Sequence, residues 1–83
     1  MKAIVQMEEK YADLNITYNT SEEKESIFKS NEEAVKIFGI SPHIYFKPVR
    51  PGTGRVSLEF SINSREIGEY FEYIISDLNL DIK

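Results

Sequence analysis

Residues 43–78 read HIYFKPVRPGTGRVSLEFSINSREIGEYFEYIISDL, and the spacing of the apolar residues changes once within this stretch. From Arg55 to Ile62, apolar and polar residues alternate, which predicts a strand with one buried face. From Ser64 onward, apolar residues recur every three or four positions, which predicts an amphipathic helix. We expect this helix to pack on the apolar face of the strand. The residues expected in the shared core are Val56, Leu58, Phe60, Phe71, Ile74 and Ile75.

A further strand is predicted at residues 43–49, where Ile44 and Phe46 share one face. Pro48 has no amide proton to give to a hydrogen-bonded ladder, so this strand should lie at a sheet edge or end there. Residues 50–54 contain a Pro-Gly pair that suits a type II turn. The strands on either side of this turn should therefore form a hairpin.

Two more strands are predicted near the start of the chain, because apolar and polar residues alternate there as well. The first covers residues 2–8, and the second covers residues 12–18 with a cleaner alternation. Residues 8–11 would join these strands as a hairpin, although they lack the Asn-Gly pair that is typical of a tight turn.

The segment between the two hairpins is predicted to be helical, but its start has two interpretations. Residues 20–23 and 30–33 both show the pattern of a hydroxyl residue followed three positions later by Glu, which favours a helix start. Either one helix covers residues 21–38, or a turn precedes a shorter helix at 31–38. Gly39 ends the helix in both cases, because glycine accepts the left-handed backbone conformation without strain.

These elements predict one α+β domain that covers residues 1–83. The element order is ββαββα, with a four-stranded, mostly antiparallel sheet and both helices on one face, as in a two-layer sandwich. The order of the strands within the sheet does not follow from the sequence.

Composition excludes several classes of site. The chain has no cysteine, which rules out disulfides, thiolate nucleophiles and Cys-ligated zinc. His43 is the single histidine and has no second ligand at a recognisable spacing, so we expect no metal site. No set of nucleophile, base and orienting residue is recognisable, so we expect neither an enzyme nor a cofactor. No signal peptide or membrane-spanning run is recognisable, so we expect a cytoplasmic protein.

The net charge of −4 is distributed unevenly along the chain. Residues 1–42 and 59–83 are acidic, whereas residues 43–58 contain three bases and no acid. These bases are Lys47, Arg50 and Arg55, and the predicted hairpin would bring them together. They are candidate contacts for nucleic acid or for an acidic partner.

The last predicted helix has acids on its outer side, interleaved with tyrosines. Tyrosine offers apolar area and a hydroxyl group at low entropic cost, which suits a protein-binding surface. We therefore expect this helix to bind another protein with a basic surface. The candidate partner-binding residues are Glu66, Glu69, Tyr70, Glu72 and Tyr73.

Together these features favour a small, acidic, non-enzymatic protein-interaction or regulatory factor, such as an inhibitor from a phage or mobile element. A first alternative is a nucleic-acid-associated dimerisation module that uses the basic hairpin 43–58. A second alternative is an acidic mimic of nucleic acid, in which the helix carboxylates take the positions of phosphates.

Part of the chain follows the order helix, strand, turn, strand, helix. Its first helix ends at Phe38-Gly39, its second strand is Gly54–Ser61, and its last helix contains Glu66-Ile67 and Phe71–Ile74. In this order, residues 31–75 resemble the C-terminal dimerisation domain of ParB-type segregation proteins. The resemblance implies an intertwined homodimer rather than catalysis. The two N-terminal strands are additional to that domain.

A homodimer is also expected on physical grounds, because a chain of this length leaves apolar surface to cover. Ile4 and Tyr45 lie opposite the stripes assigned to the core. They are therefore the candidate interface residues.

Overall fold

The computed structural model describes residues 1–83 and contains two helices and five strands. Both predicted hairpins are present, and the fold is α+β as expected. The elements are β1 (Lys2–Glu8), β2 (Tyr11–Tyr18), α1 (Ser21–Phe38), β3 (His43–Arg50), β4 (Thr53–Phe60), α2 (Arg65–Leu78) and β5 (Asp81–Ile82).

The strands form one sheet in the order β3-β4-β2-β1-β5. All neighbouring pairs are antiparallel except β5, which runs parallel to β1. The four-stranded description therefore omitted β5. This strand has only two residues, too few to show an alternating pattern, and it follows a left-handed residue, Asn79, at the end of α2.

The core lies between the helices and one face of the sheet. In β2 and β4, Ala12, Leu14, Val56 and Leu58 are fully buried, as the alternation predicts. Phe60, Tyr70 and Phe71 form an aromatic cluster, with ring centroids 5.3–5.8 Å apart. Ile75 differs from the expectation, because it is only half-buried at the edge of this core.

The segment 21–38 is one continuous helix. The Thr20 side chain accepts a hydrogen bond from the Glu23 amide at 3.0 Å, and Gly39 caps the other end with φ 70°. Ser30 and Asn31 made a break conceivable because they are polar, yet both are buried within the helix. Asn31 instead accepts a hydrogen bond from Tyr70 of α2, so its polar group has a partner in the core.

β3 is an edge strand, as Pro48 indicated. All eight of its residues are exposed, whereas β4 beside it is mostly buried. Neither helix has both the length and the apolar character needed to cross a bilayer.

Candidate functional site

The helix layer stops short of β3. Ile44 and Phe46 point to the helix side of the sheet, since they pair with the buried residues Leu58 and Val56. They nevertheless remain 42% and 45% exposed. The sheet therefore ends in an apolar strip that the rest of the chain covers only in part.

Phe46 is held in place by three neighbours. Its ring stacks on Tyr18, with centroids 6.2 Å apart and planes 11° apart, and meets the edge of Phe28 at 6.2 Å. The Lys24 ammonium lies 5.3 Å from the centroid of the Phe46 ring, within the range of a cation–π contact. Phe46 is therefore an ordered aromatic side chain with a solvent-exposed surface.

A groove follows this strip between β3 and α1. At one end, a depression of about 460 Å³ is lined by residues that include Lys24, Pro48 and Val49. At the other end, a depression of about 320 Å³ is lined by residues that include Val35 and Ile44. We call this surface the edge groove. Its members are Ile44, Phe46 and Val49 of β3 and Lys24, Phe28 and Val35 of α1.

The edge groove has a basic rim. Arg50 of β3 lines the first depression and β3 contains no acid, whereas Lys47 of the same strand points to the opposite face of the sheet. On the α1 side, Lys24 and Lys36 line the two depressions, and Glu32 is the one acid among the lining residues of either depression. The groove therefore favours a ligand that combines apolar groups with negative charge.

The three bases of the predicted hairpin lie at the same end of the sheet. Lys47 and Arg55 are directly opposite each other in the β3–β4 register, on the face away from the helices. Arg50 lies beyond a register irregularity, and it shares the lining of a depression of about 450 Å³ with Arg55. The register also places Lys2 in the same cross-sheet row. Sequence reasoning missed Lys2, because only the strand order shows that β2 lies between β1 and β4.

The sheet face away from the helices, which we call the open face, carries a hydrogen-bonded carboxylate pair. Asp13 and Glu59 are opposite each other in the β2–β4 register. Ser57 Oγ lies 2.9 Å from Asp13 Oδ1 and 3.1 Å from Glu59 Oε2 and donates to this pair. Tyr11 donates its hydroxyl to Glu59 at 2.9 Å, with Asp13 Oδ2 at 3.2 Å.

This network keeps Tyr11 in its neutral form. Partial burial, the hydrogen bond to Glu59 and the charges of both carboxylates raise the pKa of the Tyr11 hydroxyl. Asp13 is only 8% exposed although it lies on the open face. The network therefore fixes two negative charges in place on the sheet surface.

The acidic outer side of α2 is present, but not with all five predicted residues. Glu66, Glu69 and Glu72 are exposed, and Arg65 forms an exposed ion pair with Glu69 at 3.4 Å. Tyr70 is fully buried, so its assignment to a binding surface was wrong. The position lies on the stripe of Ile67, Phe71 and Ile74, and the hydroxyl group has a buried partner in α1.

Tyr73 lies between the core and the acidic surface. It is half-buried, its ring meets Phe38 edge to face, and its hydroxyl donates to Glu33 of α1 at 3.2 Å. Desolvation and the Glu33 carboxylate raise the pKa of the Tyr73 hydroxyl. The acidic surface therefore extends across both helices. Together the helices contain nine acids and four bases, whereas the strands and connections contain five acids and six bases.

No group of three or more His, Asp or Glu side chains lies close enough together to hold a metal ion. The chain matches no protein-family model, and no curated protein or solved structure is similar enough to count as a relative. Function must therefore be inferred from these surfaces and their chemistry.

Proposed function

We propose that this chain is a non-enzymatic protein-interaction domain that binds an extended segment of a partner along β3. The observation that carries the proposal is the edge groove, where partly exposed apolar side chains lie beside an unpaired strand edge. A partner segment could add to β3 as a further strand, with main-chain hydrogen bonds supplying affinity. Its side chains on the helix side would then cover Ile44 and Phe46.

Pro48 limits the length of such pairing. It has no amide proton, and the register irregularity between Pro48 and Arg50 disturbs the strand that follows. The added strand would therefore pair mainly with residues 43–47. Lys47 and Arg50 also protect the edge against self-association, because two copies of β3 placed side by side would bring only positive charges together.

The rim selects the chemistry of the partner. Lys24 and Lys36 lie beside the apolar strip on the helix side, and Lys47 of β3 lies on the opposite face of the sheet. Alternate residues of an added strand point to opposite faces. Apolar residues of such a segment would therefore cover the strip, and Asp or Glu residues between them would face Lys47. More specifically, we propose that this binding regulates or inhibits the partner, as a factor from a phage or mobile element would do.

A second candidate surface is the acidic side of the helices. The distribution of charge favours it, because the helices carry an excess of acids and the strands and connections do not. Here Glu66, Glu69 and Glu72 would meet a basic protein surface, with Tyr73 contributing the edge of its ring. Tyr70 takes no part, since it is buried. Nucleic acid is a weaker candidate, because Lys2, Lys47 and Arg55 share the open face with a fixed carboxylate pair.

Selection from a random-peptide library tests the proposal, because the library offers the groove segments of every charge and apolar pattern. Wild type should enrich peptides in which apolar and acidic residues alternate. The variant Phe46→Glu should lose these peptides, because it places a charge in the apolar strip that their apolar residues cover. Glu69→Lys, on the outer side of α2, is the matched control and should retain them. Enrichment of basic peptides that depend on Glu69 would instead support the second candidate.

A further inference from the structure

We infer that two copies of this chain associate through their open faces, around a two-fold axis that crosses the strands of both sheets. This inference is independent of the edge groove, which lies on the helix side of the sheet. It rests on the order in which the β-sheet register places charges across the open face.

Three cross-sheet rows describe this face. The first contains Lys2, Thr17, Arg55 and Lys47 together with Asp81 of β5, and its net charge is positive. The second contains the uncharged residues Ile4, Asn15, Ser57 and Tyr45, and Lys83 lies near its β1 end. The third contains Gln6, Asp13, Glu59 and His43, and it is acidic. One end of the open face therefore carries net positive charge, the other end is negative, and the row between them is mostly uncharged.

Such a face is complementary to itself in one orientation. A two-fold axis along the middle row reverses the strand direction, so the basic row of one copy lies over the acidic row of the other. Arg55 would then face the partner's Glu59, and Thr17 would face the partner's Asp13. An axis parallel to the strands would instead place basic on basic and acidic on acidic. Charge thus selects the first orientation.

The middle row supplies two exposed apolar residues, Ile4 and Tyr45, at its two ends, with Asn15 and Ser57 between them. Ile4 is 52% exposed and Tyr45 is 58% exposed, and each would meet its own counterpart near the axis. Tyr45 and Ile4 are also the residues that the sequence placed opposite the core, and the structure does place them on the open face.

The face is large enough for a stable dimer. Four strands with about seven paired residues each cover roughly 20 by 23 Å, given the usual strand spacing and rise. Side chains on this area add to its accessible surface. This brings the face toward the ~800 Å² of surface that each partner buries in stable interfaces. The Asp13–Ser57–Glu59 hydrogen bonds hold the acidic row in place before association, which lowers the entropic cost of ordering it.

Sedimentation velocity over a wide range of protein concentration tests this inference. Wild type should dimerise, and added salt should weaken the dimer. Arg55→Glu and Glu59→Arg should each dimerise at least about tenfold more weakly, because each brings like charges together. An equimolar mixture of these two variants should restore dimers, since every facing pair of residues 55 and 59 is then of opposite charge. Glu66→Arg on α2 should behave as wild type.

Circular dichroism must show that each variant is folded, because Glu59 accepts internal hydrogen bonds. Tyr45→Arg provides a second test that leaves these hydrogen bonds intact, and it should abolish the dimer by placing two positive charges at the axis. A wild type that is monomeric at every concentration overturns the inference. So does a folded Tyr45→Arg variant that dimerises as wild type does, or a mixture of folded charge variants that stays monomeric.

Discussion

The hydroxyl of Tyr70 in α2 donates a hydrogen bond to the side-chain amide oxygen of Asn31 in α1, and both side chains are buried. This contact joins the two helices within a mostly apolar layer. Burial also raises the pKa of the Tyr70 hydroxyl well above its usual value, so it remains a donor. The contact explains why the polar residue Asn31 lies on the buried side of α1 and why Tyr70 is not at the surface.

Replacing Tyr70 by phenylalanine should destabilise the fold by about 1–3 kcal/mol, because Asn31 would keep a buried amide oxygen without a donor. Urea unfolding measures this change. Tyr73→Phe is the control, since its hydroxyl bonds to Glu33 at the surface, where water can replace the lost partner, and stability should hardly change. Equal effects of the two substitutions would contradict the buried contact.

Truncating the aromatic cluster should be more costly. Phe60→Ala or Phe71→Ala should destabilise by roughly 3–5 kcal/mol, because each removes a buried ring and leaves a cavity. Ile62→Ala is a matched control, since Ile62 is 64% exposed and its truncation should cost about 0.5 kcal/mol or less. A cost below about 1 kcal/mol for both phenylalanines in denaturant melts would show that this core is misassigned.

Most of the fold could be predicted from the spacing of apolar residues along single strands and helices. The alternation in β2 and β4 and the stripe in α2 correctly predicted the burial of Leu14, Val56, Leu58, Phe60, Phe71 and Ile74, since periodicity reports the direction of each side chain. These patterns did not predict that Tyr70 and Asp13 are buried, or that Ile75 is only half-buried. Pro48 correctly predicted the edge position of β3. β5 was missed because a two-residue strand has no period, and it exists only where the chain returns beside β1.

The candidate surfaces were less predictable, because they depend on contacts between elements distant in sequence. Tyr70 was assigned to a surface because it is interleaved with acids and its hydroxyl suits protein binding. The partner of that hydroxyl is Asn31, which lies in the other helix. Ile44 and Phe46 are partly exposed because the helices do not extend over β3, and the residue pattern of a strand does not show where the helices end. The charge rows of the open face likewise require the strand order, which brings Lys2 into line with Arg55.

Stability should decrease as the pH rises above the usual tyrosine pKa of 10.0, since the hydroxyl pKa values of Tyr11, Tyr70 and Tyr73 are raised in the fold. A raised pKa stabilises the folded state below the unfolded pKa, and this contribution is lost as the unfolded tyrosines ionise. Thermal melts at increasing alkaline pH measure the loss. Tyr70→Phe should show a shallower decrease, and an unchanged slope in that variant would contradict the assignment.

Gly54 should not tolerate a side chain. A Cβ atom there would lie 2.6 Å from the Lys47 carbonyl oxygen and 2.6 Å from the Tyr18 hydroxyl. Gly54→Ala should therefore destabilise by about 1–3 kcal/mol and displace the Tyr18 ring that stacks on Phe46.

Gly68→Ala is the matched control in the middle of α2. The nearest atom to its added Cβ is the Met7 Cε at 3.8 Å, which is an ordinary contact. Alanine favours the helix over glycine, so this variant should be more stable by about 0.5–1 kcal/mol. Calorimetric melts showing the same sign for both alanine variants would contradict the close approach at Gly54.

The edge groove is tested most directly by nuclear magnetic resonance titration of the isotope-labelled protein with two capped peptides of about ten residues. One peptide alternates Val with Glu, and the other alternates Val with Lys. We expect the Val–Glu peptide to bind at least about tenfold more tightly, with the largest shifts at the amides of residues 43–47 and at Phe28 and Val35. Phe46→Glu should abolish these shifts. Equal affinity for both peptides, or shifts confined to α2, would contradict a basic, apolar binding edge at β3.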